Sequence, residues 1–215
     1  MEDNKLAIEV AKNLLKIKAV YLQPNDPFTW ASGIHSPIYC DNRMTLSYPD
    51  VRKVVEDGLA ETVKKYYPDV EILEGTSTAG IAHAAMVAER LDLPMGYVRG
   101  KAKDHGRKNQ VEGISPKGKK VVVIEDLIST GGSSLEVVDV LREEGAIVLG
   151  IVSIFTYGLQ KGIDKLKSGN CENHSLSNFF ALVDAAVEEK YITAADKAKV
   201  LKFQSNPDDE SWMNM

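Results

Sequence analysis

Apolar positions recur at helical spacing from the start of the chain: Leu6, Val10, Leu14 and Ile17 predict an amphipathic helix over residues 4–18. Residues 22–36, LQPNDPFTWASGIHS, are rich in Pro, Gly and Ser and read as a loop, with PIYCDN after them as a short strand. Ser47, Tyr48 and Pro49 mark a helix start, and Val51, Val54, Val55, Leu59 and Val63 continue its apolar stripe. VEILEG (70–75) reads as a strand, GTSTAG as a turn, IAHAAMVAERL as a helix and PMGYVR (94–99) as another strand.

The pattern then breaks off. Residues 100–118 are polar and glycine-rich without hydrophobic period, and so long an unpatterned stretch inside a domain is usually functional or disordered. KKVVVIED is the clearest strand, LISTGG a turn, and SSLEVVDVLREEG a helix ending at Gly145. AIVLGIVSIFTY reads as a buried strand; two helices follow, near 178–189 and 194–203, and then a frayed acidic tail. Near-continuous Val, Ile and Leu strands alternating with helices predict an α/β fold: a parallel central sheet with helices on both faces. Ligands bind such sheets at the carboxyl ends of the strands, so loops 75–80, 99–113 and 125–133 should meet there.

Composition narrows the picture. At 215 residues the chain reads as one domain, with no repeat and no linker, and 44% hydrophobic with 27% charged residues excludes disorder and fibrous classes. Lys and Arg total 26 against 31 acids, so no basic field favours nucleic acid or an anionic membrane, and 7% aromatics form no stacking platform. Cys40 and Cys171 form no CxxC pair, which fits a reducing cytosol. The N-terminus interleaves charges with apolar residues, unlike a signal peptide, and the richest apolar stretch (146–155) is too short to span a bilayer. A cytoplasmic protein is expected.

The chemistry concentrates in VVVIEDLISTGGSS, residues 121–134. A buried strand delivers Glu125 and Asp126 to its carboxyl end, and a hydroxyl- and glycine-rich turn then opens a helix. First-turn N–H groups and the helix dipole attract phosphate, and glycine lets backbone approach it closely. Adjacent carboxylates accept hydrogen bonds from vicinal hydroxyls, so the whole string suits a phosphorylated sugar. Taken singly, the same residues read as a helix-capping turn with Thr130 or Ser133 as N-cap. Gly75–Gly80 has the gap of a Walker A loop, but Ile81 stands where the lysine belongs, and no G-x-G-x-x-G occurs.

This string resembles the phosphoribosyl diphosphate (PRPP) motif of the type I phosphoribosyltransferases. FTWASGIHSPIYCDNR (28–43) resembles the substrate loop of the orotate phosphoribosyltransferases, and YVRGKAKDHGRKNQVEG (97–113) their catalytic loop. The likeness is closest to the Bacillus type. It implies the type I fold over residues 1–215 with a small hood built from about 1–45 and part of the C-terminal region. The activity implied is conversion of orotate and PRPP to orotidine 5′-monophosphate and diphosphate, with Mg²⁺, by a homodimer whose catalytic loops reach the neighbouring subunit.

Carried over residue by residue, the likeness assigns Arg99, Lys101, Lys103 and His105 to the diphosphate, and Glu125 and Asp126 to the ribose hydroxyls. Leu127, Ile128, Ser129, Thr130, Gly131, Gly132 and Ser133 fall in the PRPP loop, with Ser129 to Ser133 around the 5′-phosphate. Lys103, Arg99, His105 and Asp126 form the catalytic set, and Asp126 meets Mg²⁺ through water. Ser129, Arg43 and Tyr39 are the orotate candidates. Three family cations are missing: lysines correspond to Ala31 and Ala79, and an orotate-contacting arginine to Tyr157. The lysine after the loop arginine is replaced by Gly100, with Lys101 one place on.

The loop makes physical sense without the likeness. Residues 99–108 hold five cations, one acid and His105 in a net-negative chain, flanked by Gly100, Gly106 and Gly113. A basic lid that closes meets the charge developing on a departing diphosphate and excludes water. His83, on an apolar helix, reads as a core residue; His174, in a polar loop, reads as solvated; His35 stays open. Two rival readings remain: a phosphoribosyltransferase for another base, and a non-catalytic PRPP-sensing regulator.

Overall fold

The computed structural model describes residues 2–30, 33–100 and 110–215. Helix α1 (Glu2–Lys16) leads into a small antiparallel ribbon, β1 (Val20–Leu22) with β4 (Ile38–Cys40), and into a second ribbon, β2 (Phe28–Thr29) with β3 (His35–Ser36). A 3₁₀ turn (Asn42–Ser47) precedes α2 (Pro49–Tyr66), whose N-cap is Tyr48 with Pro49 in the first turn. There follow β5 (Ile72–Thr76), α3 (Ala79–Leu91), β6 (Met95–Val98), β7 (Val111–Glu112), β8 (Lys120–Ile128), α4 (Gly132–Glu143) and β9 (Ile147–Thr156). The chain ends with α5 (Gln160–Ser168), β10 (Asn173–Asn178), α6 (Phe179–Glu188), α7 (Ala194–Ser205) and a 3₁₀ turn (Glu210–Asn214).

The main sheet has the order β10-β9-β8-β5-β6-β7 and is parallel except for β7, which pairs antiparallel with β6. Alternate residues of β8 serve opposite faces. Val122 and Ile124 join the core under α1, α2, α3 and α6, while Val121 and Val123 join Val138 and Leu141 of α4. Burial on both faces is why these strands read as unbroken apolar runs.

The structure departs from the sequence expectations in six places. Residues 22–36 contain β2 and β3. Val111–Glu112, within the unpatterned stretch, forms β7. Helix α5 went unread because its apolar signal is little more than Ile163 and Leu166, between Gly162 and Gly169. Strand β10 went unread because NHSLSN buries only Leu176 of its hydrophobic kind. Polar bonds replace apolar ones there: Ser177 Oγ donates to the Ala7 carbonyl at 2.7 Å. The tail is not frayed, since Trp212 is fully buried with its ring centroid 5.8 Å from that of Phe203. Phe203 in turn lies 5.8 Å from Trp30, so the C-terminus supports the ribbons of residues 20–40. His174 is not merely solvated: its ring stacks on Tyr66 at 3.6 Å.

Among the described residues no helix is long and apolar enough to cross a membrane. One residue contradicts the burial rule outright. Glu74, in the middle of β5, is fully buried, and neither carboxylate oxygen has a hydrogen-bond partner. A Cβ on Gly96, its neighbour in register on β6, would stand 2.8 Å from both oxygens, so the acid fills the space that glycine vacates. Burial alone pushes the Glu74 carboxyl up to about 8.

Candidate active site

Strand β8 outruns its neighbour: the β5 ladder ends at Gly75 and Ile124, while β8 continues to Ile128. Glu125 and Asp126 therefore emerge at the strand's carboxyl end, beside the β5–α3 turn. The chain next reverses through Gly131, at φ +70°, a left-handed conformation that suits glycine, and α4 begins at Gly132. Gly131 itself is the N-cap, with no side-chain cap, so the hydroxyls of Thr130 and Ser133 are not spent as the cap. The result is a helix N-terminus presented to a cleft of about 400 Å³.

That cleft gathers most of the expected residues. Arg99, Glu125, Asp126, Leu127, Ser129, Thr130, Gly131 and Ser133 line it, together with Thr76 to Ala79 and Gly100. Ile128 and Gly132 are not among its lining residues. The Ile128 side chain is buried and its carbonyl accepts from Tyr157 N at 3.0 Å. Lys101, Lys103 and His105, like Ala31, lie outside the described residues.

The two acids differ in setting. Glu125 is buried and accepts from Thr76 Oγ1 at 2.7 Å, Ser134 Oγ at 2.8 Å and the Asp126 N–H at 2.9 Å. It ties β5, β8 and α4 together, a role the sequence did not announce because its partners lie 49 and 9 residues away. Asp126 is half-buried; burial first, then the hydrogen bond and charge of Glu125, raise its carboxyl to about 7. Its backbone carbonyl accepts from Asn42 Nδ2 at 2.7 Å. Across the cleft, Arg99 Nη1 is buried 3.7 Å from Glu112 Oε1 without a hydrogen bond.

On the base side the candidates are less converged. Arg43 is held by Asp41 through two bonds, Nε to Oδ1 at 2.6 Å and Nη2 to Oδ2 at 2.8 Å, and neither it nor Tyr39 lines the cleft. Tyr39 is exposed, with its ring 5.7 Å from Phe28. Tyr157 is buried and packs 5.6 Å from Trp30. His83 is the core residue expected, fully buried with Nδ1 2.6 Å from Glu56 Oε1. His35 pairs with Glu210 at 2.6 Å.

A mostly parallel sheet whose central strand carries adjacent acids near its carboxyl end, followed by a glycine–hydroxyl turn at a helix N-terminus, defines a phosphoribosyltransferase. The phosphoribosyl transferase domain family matches residues 48–190. An orotate phosphoribosyltransferase of Bacillus cereus (strain G9842) is 58% identical over 205 residues, 95% of this chain and 98% of the relative. The crystal structure of orotate phosphoribosyltransferase from Aeropyrum pernix superposes with a TM-score of 0.73 at 32% identity, over 86% of this chain and 99% of that one. The UMP synthase of Leishmania donovani gives 0.78 at 27% identity, over 92% of this chain and 42% of that one. The chain belongs to the orotate phosphoribosyltransferase family.

Proposed function

We propose that this chain transfers the phosphoribosyl group of PRPP to orotate, yielding orotidine 5′-monophosphate and diphosphate for pyrimidine nucleotide synthesis. The observation that carries the reading is the α4 N-terminus beside Asp126, in a cleft shared with Arg99 and the Ser77–Ala79 turn. Backbone N–H groups of residues 129–133 hold the 5′-phosphate, and Asp126 accepts from a ribose hydroxyl. The orotate nitrogen bonds to the anomeric carbon as the carbon–oxygen bond to diphosphate breaks, with inversion and an oxocarbenium-like transition state. Little covalent work falls to the protein: it positions both substrates, and Arg99 with Lys103 and His105 meets the charge on the leaving diphosphate.

Magnesium fits this donor set. Among the described residues no three His, Cys, Asp or Glu side chains converge to cage an ion, while Asp126 lines the cleft and would offer one carboxylate to an ion carried on the diphosphate and ribose oxygens of bound PRPP. Mg²⁺ keeps its waters and binds through few carboxylates plus substrate oxygens, so Asp126 would hold it through water. When bound it would screen the diphosphate charge. The cytoplasm as compartment is supported by two cysteines that are both free and buried.

Loss of orotate ultraviolet absorbance on adding PRPP and Mg²⁺ tests the reading, with adenine, xanthine and uracil as controls. A site built for a carboxylate leaves polar groups unpaired with uracil, which costs about 10⁴-fold or more in kcat/KM. Comparable use of uracil overturns the substrate, and PRPP binding without turnover of any base favours the regulator. The homodimer with shared lids has its own test. Mixing Lys103→Ala and Asp126→Asn chains places both defects in one site and restores a wild-type lid and PRPP motif in the other. Activity should recover towards half per heterodimer; heterodimers seen by native mass spectrometry but inactive refute lid sharing.

A further inference from the structure

Beyond apolar packing, the segment after the ribbons is tied to β8 by one buried side-chain hydrogen bond. Asn42 opens the 3₁₀ turn after β4 and is fully buried. Its Nδ2 donates to the Asp126 carbonyl at 2.7 Å, and its Oδ1 accepts from Cys40 Sγ at 3.2 Å. Among the described residues of the ribbons and this turn, no other side chain hydrogen-bonds β8. The carbonyl lies where β8 has already left the β5 ladder, so the hood supplies a partner in place of a strand. A buried carbonyl without one would be costly, and the bond fixes the peptide from which the Asp126 side chain projects. Asn42 also sits directly between Asp41 and Arg43, three residues from Tyr39, on the segment that carries the base-side candidates.

We propose that Asn42 is a positioning residue for the transfer reaction: its amide holds the Asp126 peptide so that the acid is aimed at the ribose and the base-side segment is registered against it. The inference rests on the reading of Asp126 as a ribose ligand. It separates Asn42 from ordinary packing, because its effect on PRPP affinity should travel through Asp126.

A double-mutant cycle on PRPP affinity, read by calorimetry, decides it. Asn42→Ala should weaken PRPP binding about 3- to 10-fold, the range of a lost neutral hydrogen bond, and raise the KM for PRPP more than it lowers kcat. In an Asp126→Asn background the same change should add almost nothing, since residues acting as a unit are non-additive. Asn42→Asp keeps the volume and sets an acceptor against the carbonyl; it should match or exceed the alanine variant, and it decides the question should alanine not fold. Thr45→Val is the control for mere loosening. It removes the 2.6 Å bond from Thr45 Oγ1 to the Asn42 carbonyl in the same turn and spares the amide. It should lower Tm and leave PRPP affinity unchanged. Unchanged affinity in the Asn42 variants, an additive cycle, or a Thr45→Val variant that weakens PRPP equally overturns the inference. Failure of the wild-type chain to bind PRPP would instead overturn the function on which it rests.

Discussion

Glu74→Gln should stabilise this protein, and by an amount that grows with pH. The wild-type acid is fully buried without partners, and its carboxyl rises from 4.5 to about 8 on folding. A raised acid holds its proton more tightly in the native state than in the unfolded one, so unfolding releases a proton between those two values. Below pH 4.5 both states are protonated and the group costs nothing through ionisation. As pH rises the unfolded state ionises first and stability falls, until above pH 8 both states are charged and the loss levels off. At pH 7 the native acid is still mostly protonated, so the cost is the span from 4.5 to 7, roughly 3 kcal/mol. At pH 9 the full 3.5 units give about 5 kcal/mol. Glutamine keeps the shape and the unpaired polar atoms but cannot ionise. The variant should therefore match wild type near pH 4.5, and at pH 7 melt roughly 6–12 °C higher, at about 2–4 °C per kcal/mol for a chain of this size. Calorimetric melts of both proteins at pH 4.5, 7 and 9 test this directly. A difference in stability that stays flat across that range would falsify the reasoning, because it would mean that Glu74 ionises in the native state as readily as in water.

Asp126→Asn should weaken PRPP binding by roughly 1.5–3 kcal/mol, the worth of a charged hydrogen bond, with Tm little changed; calorimetric titration of PRPP in Mg²⁺ measures it. Lys103→Ala should lower kcat about 10²–10³-fold, as removal of one donor to a developing anion does, while a melting curve shows no loss of stability. Trp212→Ala, emptying the fully buried site against Phe203, should cost about 3–5 kcal/mol in urea unfolding, where a frayed tail would cost nothing.

The α/β frame was legible because its signals are local. β5, β8 and β9 each carry enough contiguous Val, Ile and Leu to mark a strand buried on both faces, and α2 and α4 carry unbroken stripes. The phosphate turn was legible for the same reason, since its chemistry occupies fourteen consecutive residues. Elements that trade apolar burial for polar bonds were not. β10 is held at the sheet edge by hydroxyl and amide groups, such as Ser153 Oγ to Asn173 Oδ1 at 2.9 Å, and no periodicity scan registers those. Glu74 was invisible for the opposite reason. A polar residue inside a strand ordinarily signals a solvated face, and only the cover on both sides of this sheet turns it into a buried acid.

The base side was the least legible, and Tyr157 explains why. By family likeness it stands where an arginine meets orotate, and a tyrosine there reads as a lost contact. In the fold it is a strut. Its ring packs 5.6 Å from Trp30 and 5.7 Å from Phe155, and Gln204 of α7 donates to the Gly158 carbonyl beside it at 2.8 Å. The side chain packs on the ribbons and does not line the cleft, and the backbone beside it ties α7 to them. Arg43 does not simply inherit the vacated task, because Asp41 already takes two of its donors. A guanidinium has five N–H donors, so one bidentate partner leaves three. A substrate carboxylate reaching Arg43 would meet a cation whose charge is half-answered by Asp41, and its recognition would rest on geometry more than on net charge. Such a site can sort orotate from uracil only if the ribbons of residues 20–40 are held still. Asn42, Tyr157, Trp30 and the buried C-terminal tryptophan are the groups that hold them, and each acts from a distance along the chain that no motif spans.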